Sequence, residues 1–276
     1  MTMSDEVAAA RIPGSVSAPR RFAYSVEDCI VVTGRNLRHF VRQPQLLIFS
    51  TIQPIMFVLL FAFVFGGAIE SSLAPGVAYV DFLLPGIFIQ AAAFRSTQTA
   101  VGLAEDLDRG VIDRFRAMPI ARPAVLIGRT AADLVRNVFV TLLMAAVGYL
   151  IGFRFRSGPL DAAGAILVVL AFGFALSWIF SFVGLTVRGA EAAQSAGFVA
   201  IFPLVFASSV FVPVSTMPAG LEQFAAVSPV TVSVDAARAL SIGGEVSEPL
   251  LQSIAWIVGI LAIFVPLCVW RYRRMS

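Results

Sequence analysis

Apolar stretches of roughly twenty residues recur along the chain, and short polar segments separate them. A bilayer core about 30 Å thick needs about 20 apolar residues for each crossing helix. On that measure the pattern predicts six spans. They run over about 46–65, with a kink at Pro54, then 80–103, 124–153 (apolar from Val138 to Phe153), 162–187, 193–212 and 250–270. A polar, proline-containing tail over 1–24 precedes a mixed segment at 25–43 and this membrane domain at 44–276. The tail is expected to be disordered. It is not read as a signal peptide, because no apolar core follows Arg11, Arg20 and Arg21 closely enough. The expected fold is an all-α polytopic membrane protein.

Composition agrees: 58% of residues are hydrophobic and 13% charged, against about 25% charged in ordinary soluble domains. All twenty basic residues are arginine. A phosphate-binding loop of the GxxxxGK[ST] type needs its lysine to reach the terminal phosphates. The chain therefore is not expected to hydrolyse ATP in that way itself. His39 stands alone before the first span, where a solvated or lipid-facing side chain is expected. Cys29 and Cys268 are too few and too distant for a metal cluster, and their expected place on the cytosolic side or in a span argues against a disulfide. No GxSxG, HExxH or GxGxxG motif occurs. The isoelectric point near 9.3 reflects arginines beside apolar spans, which points to anionic lipid and topology rather than nucleic acid.

Arginine also sets the orientation. Arg11, Arg20, Arg21, Arg35, Arg38 and Arg42 precede the first span. Arg109, Arg114, Arg116, Arg122, Arg129 and Arg136 lie in or near the second-to-third connection, Arg188 follows the fourth span, and Arg271, Arg273 and Arg274 follow the sixth. The opposite connections hold Arg154, Arg156 and Arg238. Both termini are expected in the cytoplasm, with Trp270 and Tyr272 as an interfacial aromatic belt.

Three segments read as something other than spans. Residues 25–43 open with Ser25 and Asp28 in capping-box spacing and stop at Pro44. Arg35, Arg38 and Arg42 share one helical face, and Ile30, Leu37 and Val41 share another. An amphipathic interface helix fits this better than a solvated linker. The second segment carries Leu103, Leu107, Val111, Phe115 and Met118 at helical spacing, with acids (Glu105, Asp106, Asp108) early and arginines late. Pro119 ends it. It is either a plain surface connector or a short docking helix whose Phe115 and Met118 anchor in a partner's groove. The third, between Pro213 and Pro249, holds two proline-initiated stretches at Pro218 and Pro229 that are too short to span and too apolar for a free loop. Re-entrant helices are expected there, and Asp235 and Arg238, three apart, can pair on one face.

Polar groups at depth are few. Arg95 lies about 15 Å of helix from Glu105, at a cost of roughly 3 kcal/mol. It is a functional candidate, a structural charge paired inside the bundle, or a side chain snorkelling toward the cytosol. Asp133 is spaced to pair with Arg129 and Arg136. Gly173, Ser177 and Ser181 form a small-residue stripe for close helix approach, within the chain or against a second subunit.

Together these features resemble the permease subunits of ABC-2 type exporters, in particular the daunorubicin-resistance group. The resemblance covers the chain from about Ser25 onward. It rests on the charged run Leu103–Pro119 followed by Gly128-Arg-Thr-Ala-Ala-Asp133, on Gly152-Phe-Arg-Phe-Arg156, and on Pro213–Pro218 through Ser228–Arg238. It implies a type V exporter-like fold, with residues 25–43 as the interface helix and a coupling helix that engages a separate ATPase chain. The coupling residues implied are Glu105, Asp106, Arg109, Asp113, Arg114, Phe115, Arg116 and Met118. It implies a second permease chain, in a homo- or heterodimer, and ATP with magnesium held by the ATPase rather than by this chain. Candidate cargo-path residues are Phe94, Arg95, Gln98, Phe198 and Phe202. Pro218, Pro229, Asp235 and Arg238 are the candidate outer gate. The expected activity is efflux of a hydrophobic or amphipathic drug-like compound across a bacterial cytoplasmic membrane.

Export of a lipid or polyketide glycolipid is the alternative cargo, and polysaccharide export fits less well because few polar and aromatic lining residues can be placed. A non-transporting scaffold is the second alternative. A membrane-embedded enzyme would need convergent His, Asp or Glu in the spans, and the sequence offers only Arg95 at depth and Asp81 at an edge.

Overall fold

The computed structural model describes residues 44–70, 73, 76–110 and 122–274. The segment over 25–43, with Arg35, Arg38 and Arg42, and the coupling candidates Asp113, Arg114, Phe115, Arg116 and Met118 lie outside the described residues. All elements among the described residues are helical. We number them α1 (Pro44–Leu59), a π-helical stretch (Leu60–Phe65), α2 (Gly66–Glu70), α3 (Tyr79–Asp108), α4 (Arg122–Ile151), α5 (Pro159–Thr186), α6 (Ala190–Phe206), α7 (Ala219–Val227), α8 (Pro229–Ile242) and α9 (Ser247–Arg274).

Among the described residues, four stretches are long and apolar enough to cross a membrane: Ile52–Glu70, Thr130–Ile151, Pro159–Thr186 and Ser247–Arg274. Helix α3 has the length, 30 residues, but Asp81, Arg95 and its acidic end lower its apolar character. Helix α6 has 17 residues, which lies at the short end of what a crossing needs.

Helix α3 is the axis of the bundle, and α4, α5, α6 and α8 pack around it. Its residues from Asp81 to Ala93 are buried without a break. Small residues make this possible, because backbones can then approach closely. A β-carbon on Gly184 of α5 would lie 2.6 Å from the Ala100 carbonyl oxygen of α3. One on Gly86 would lie 2.5 Å from the carbonyl oxygen of Val210, in the loop after α6. The stripe Gly173, Ser177 and Ser181 is buried within the chain, which is its internal-packing reading. Both serine hydroxyls donate back to carbonyls one turn earlier, Ser177 to Gly173 and Ser181 to Ser177.

Helix α9 lies across α5 and α8 and leaves Leu251, Val258 and Ile263 exposed. In a bilayer that face costs nothing, because lipid tails are as apolar as leucine. The expected aromatic belt is corrected at Tyr272. This side chain is 3% exposed and packs in a cluster with Leu103, Trp178, Leu185 and Cys268. Helical periodicity points Tyr272 inward and Trp270 outward, and only Trp270 stays exposed, its ring 4.3 Å from the Arg274 guanidinium carbon.

Candidate functional site

Phenylalanines at four-residue spacing line one helix face in ring contact, some pairs stacked and some tilted, and two such runs meet. Phe198, Phe202 and Phe206 lie on α6, with ring centroids 6.1 Å and 4.9 Å apart in turn. Phe94 of α3 joins them, 6.2 Å from Phe198 and 5.5 Å from Phe202. Phe206 stacks on Phe211 at 5.4 Å, and Phe211 on Phe61 at 4.3 Å. Phe57 and Phe65 flank Phe61 at 6.1 Å and 5.2 Å, Phe65 closing the π-helical stretch. Eight rings thus form one continuous ladder from the middle of α3 to the end of the π-helical stretch. Phe65, Phe202 and Phe206 are exposed. Aromatic pairs of this kind are worth about 0.5–1.5 kcal/mol each beyond area burial, and open rings offer the same geometry to a planar ligand.

The ladder brings together Phe94, Phe198 and Phe202 of the predicted path, and Gln98, one turn beyond Phe94, is exposed. Arg95 is not among them. It is 6% exposed and its Nε donates to Asn137 Oδ1 of α4 at 2.6 Å. Adjacent residues on a helix point about 100° apart, so Phe94 and Arg95 serve different interfaces. Below Arg95, Thr99 Oγ1 donates to Asp133 at 2.7 Å, and Asp133 pairs with Arg136 at 3.0 Å. The side chain of Arg129 lies outside the described set.

At the Tyr79 end of α3, Arg238 ties α8 to two other elements. Its Nε donates to the Phe82 carbonyl at 3.0 Å, one terminal nitrogen to Asp235 at 2.7 Å, and the other to the Ser209 carbonyl at 2.8 Å. Its guanidinium lies 3.6 Å from the Phe82 ring centroid. Asp235 also accepts from Ser209 Oγ at 2.8 Å. Tyr79 Oη donates to the Phe211 carbonyl at 3.0 Å, which joins this clasp to the ladder. Asp81, 3% exposed, pairs with Arg156 at 2.6 Å, and the Arg156 amide donates to the Ser241 carbonyl. Pro218 precedes α7 and Pro229 opens α8; neither side chain enters the clasp's polar contacts.

The charged segment does not begin as a separate helix. Helix α3 continues unbroken through Gly102, Glu105 and Asp106 to Asp108 and stops just before Gly110, whose φ is +63°. Leu103 and Leu107, expected on a docking stripe, instead pack against the cluster around Trp178. Arg109 and Glu105 form an exposed i,i+4 ion pair at 3.3 Å, of the kind worth at most about 1 kcal/mol. No group of three metal-ligating side chains occurs among the described residues.

Sequence reasoning missed Phe57, Phe61, Phe65, Phe206 and Phe211. The four-residue spacing within 57–65 and within 198–206 was the available signal. It missed Asn137 as well, an amide between Arg136 and the apolar run that starts at Val138.

Residues 27–241 match the family model described as ABC-2 type transporter. The chain is 33% identical over 254 residues to a daunorubicin resistance ABC transporter permease protein of Streptomyces coeruleorubidus, covering 92% of this chain and 89% of the relative. It is 31% identical over 281 residues to a probable doxorubicin resistance ABC transporter permease protein of Mycobacterium tuberculosis, covering 98% and 96%. A putative transport permease of Porphyra purpurea is 20% identical over 229 residues, covering 80% and 76%. With this match over most of its length, the chain belongs to the ABC-2 type transporter family.

Proposed function

We propose that this chain is the permease subunit of an ATP-driven exporter that carries an amphipathic, aromatic drug-like compound out across a bacterial cytoplasmic membrane. Membership of the family implies an ATPase partner, and the lack of lysine leaves this chain no phosphate-binding loop of the usual kind. In this reading ATP and magnesium sit on the partner, and two permease chains face each other. The helical stretch 44–70 and helices α3, α4, α5, α6 and α9 are the six crossings. Both termini are cytoplasmic, as the arginine distribution favours, while α7 and α8 lie on the outer side. The end of α3 and the connection to α4 take the push of the ATPase, through Glu105, Asp106, Arg109, Asp113, Arg114, Phe115, Arg116 and Met118. Asp235 and Arg238 hold the outer gate.

The observation that carries the cargo assignment is the phenylalanine ladder, with exposed rings at Phe65, Phe202 and Phe206. The names of the relatives in the two bacteria point to planar anthracyclines, whose ring systems such a ladder suits by stacking. Co-expression of the tagged chain with its chromosomal neighbours, followed by pull-down, tests the assembly. Recovery of a P-loop subunit is expected. Recovery of the chain alone would favour a scaffold.

A variant replacing Phe94, Gln98, Phe198 and Phe202 together is expected to lose most drug efflux while remaining in the membrane. Efflux at the parental rate would remove the path. Alanine at both Arg114 and Phe115 is expected to abolish co-purification of the ATPase and to leave the permease folded. Normal co-purification would place the coupling contact elsewhere.

A further inference from the structure

We infer that Arg95 is a positioning residue that latches α3 to α4 in two alternative registers, bonded to Asn137 in one and to Asp133 in the other. The inference rests on the exporter reading above, because it assigns the seam a part in the transport cycle. Helices α3 and α4 run antiparallel in a register set by three contacts. Arg95 meets Asn137 and Thr99 meets Asp133 by hydrogen bonds, while Leu84 presses on Gly148, whose added β-carbon would lie 2.1 Å from Leu84 Cδ2. The same register sets Ala91 opposite Thr141.

In this register the seam is left partly unsatisfied. Both terminal nitrogens of Arg95 are buried without a hydrogen-bond partner, as are Gln90 Oε1 and Thr141 Oγ1. A buried guanidinium with idle donors is costly, and removing that cost is what a competing arrangement would gain. Asp133 offers it. It lies one turn, about 6 Å, along α4 from Asn137, and a carboxylate accepts about four hydrogen bonds. Thr99 and Arg136 are the partners seen on it here. Sliding α3 toward its Asp108 end by less than a turn, with a change of Arg95 rotamer, carries the guanidinium to Asp133. Shifts of packed helices between discrete registers are a known form of switching.

The location gives the latch its purpose. The chain between Asp108 and Arg122 leads from α3 to α4, so a force on that connection acts on their shared seam. Arg95, buried in the bundle, stands where the two helices would shear.

The test uses the full permease–ATPase complex in lipid nanodiscs, with Ala91→Cys and Thr141→Cys introduced and Cys29 and Cys268 replaced by serine. Cross-linking of the pair is expected without nucleotide. Trapping the complex with ATP and vanadate should reduce it about five-fold or more, at the lower bound of typical coupling between sites. Adding Asp133→Asn should abolish that nucleotide dependence, and Arg95→Lys should retain part of it. A purely structural charge would not make the cross-link respond to nucleotide through Asp133. ATP turnover is measured in the same sample. Equal cross-linking in both states beside active turnover, or an undiminished response in Asp133→Asn, would overturn the latch while leaving the exporter reading intact.

Discussion

Replacing Gly184 with leucine is expected to leave little folded protein in the membrane. The β-carbon alone would stand 2.6 Å from the Ala100 carbonyl oxygen and 3.0 Å from its α-carbon. Both are backbone atoms of the central helix, so no flexible side chain can give way. Overpacking a core typically costs about 1–3 kcal/mol even where side chains can adjust, and here α3 and α5 would have to separate. Separation would also break the bond that Ser96 Oγ of α3 donates to the Gly173 carbonyl of α5 at 3.0 Å. Size-exclusion profiles and thermal stability of the detergent-solubilised chain measure the loss. Gly164→Ala is the control, because its β-carbon would meet only Leu240 side-chain atoms at 3.6 Å, an ordinary contact. A Gly184→Leu variant that elutes and melts like the parent would contradict the packing described.

Arg238→Ala should be nearly as damaging, with the loss concentrated at the Tyr79 end of the bundle. One side chain there bonds the Phe82 carbonyl, the Ser209 carbonyl and Asp235, and also covers the Phe82 ring. Its removal leaves Asp235 without its cation and takes away the hydrogen bond from α8 to the Phe82 carbonyl of α3. Breaking one side of a buried ion pair costs about 3–5 kcal/mol. Since the Asp235 side chain is 39% exposed, the lower end of that range, about 3 kcal/mol, is expected. Arg238→Lys keeps the charge and loses the fork that reaches three acceptors, so it should recover only part of the stability. Melting curves of the three proteins should rank parent, lysine and alanine in that order. Drug export by the alanine variant should fall with them. Equal stability of all three would show that the clasp does not hold the Tyr79 end.

What could be read from the sequence follows the range of the interactions. The Asp235–Arg238 pair forms across a single helical turn, and spacing alone discloses such a pair. The meeting of Phe94 with Phe198 and Phe202 could be anticipated only through the resemblance, because about a hundred residues separate them. The rest of the ladder depends on a loop residue, Phe211, that bridges two helices, and local periodicity carries no signal for that. Arg95 was visible as a costly charge, but its partner was not, because Asn137 comes from an antiparallel neighbour whose register is set by the packing of Leu84 on Gly148. The misjudged start of the charged helix has a local cause. Acids at Glu105 and Asp106 suggested a helix N-terminus, yet nothing between Thr99 and Asp108 breaks the helix already under way.

In the proposed function this chain, with an ATPase, moves an aromatic amphipathic compound outward. Uptake of a fluorescent anthracycline into inside-out proteoliposomes holding the purified permease–ATPase complex tests it most directly. ATP-dependent accumulation, absent with a non-hydrolysable nucleotide and strongly reduced by the Phe94, Gln98, Phe198 and Phe202 substitutions, is the result predicted. Steady ATP turnover with no accumulation of the anthracycline would contradict the cargo and the path, and an anthracycline signal independent of ATP would contradict the exporter itself.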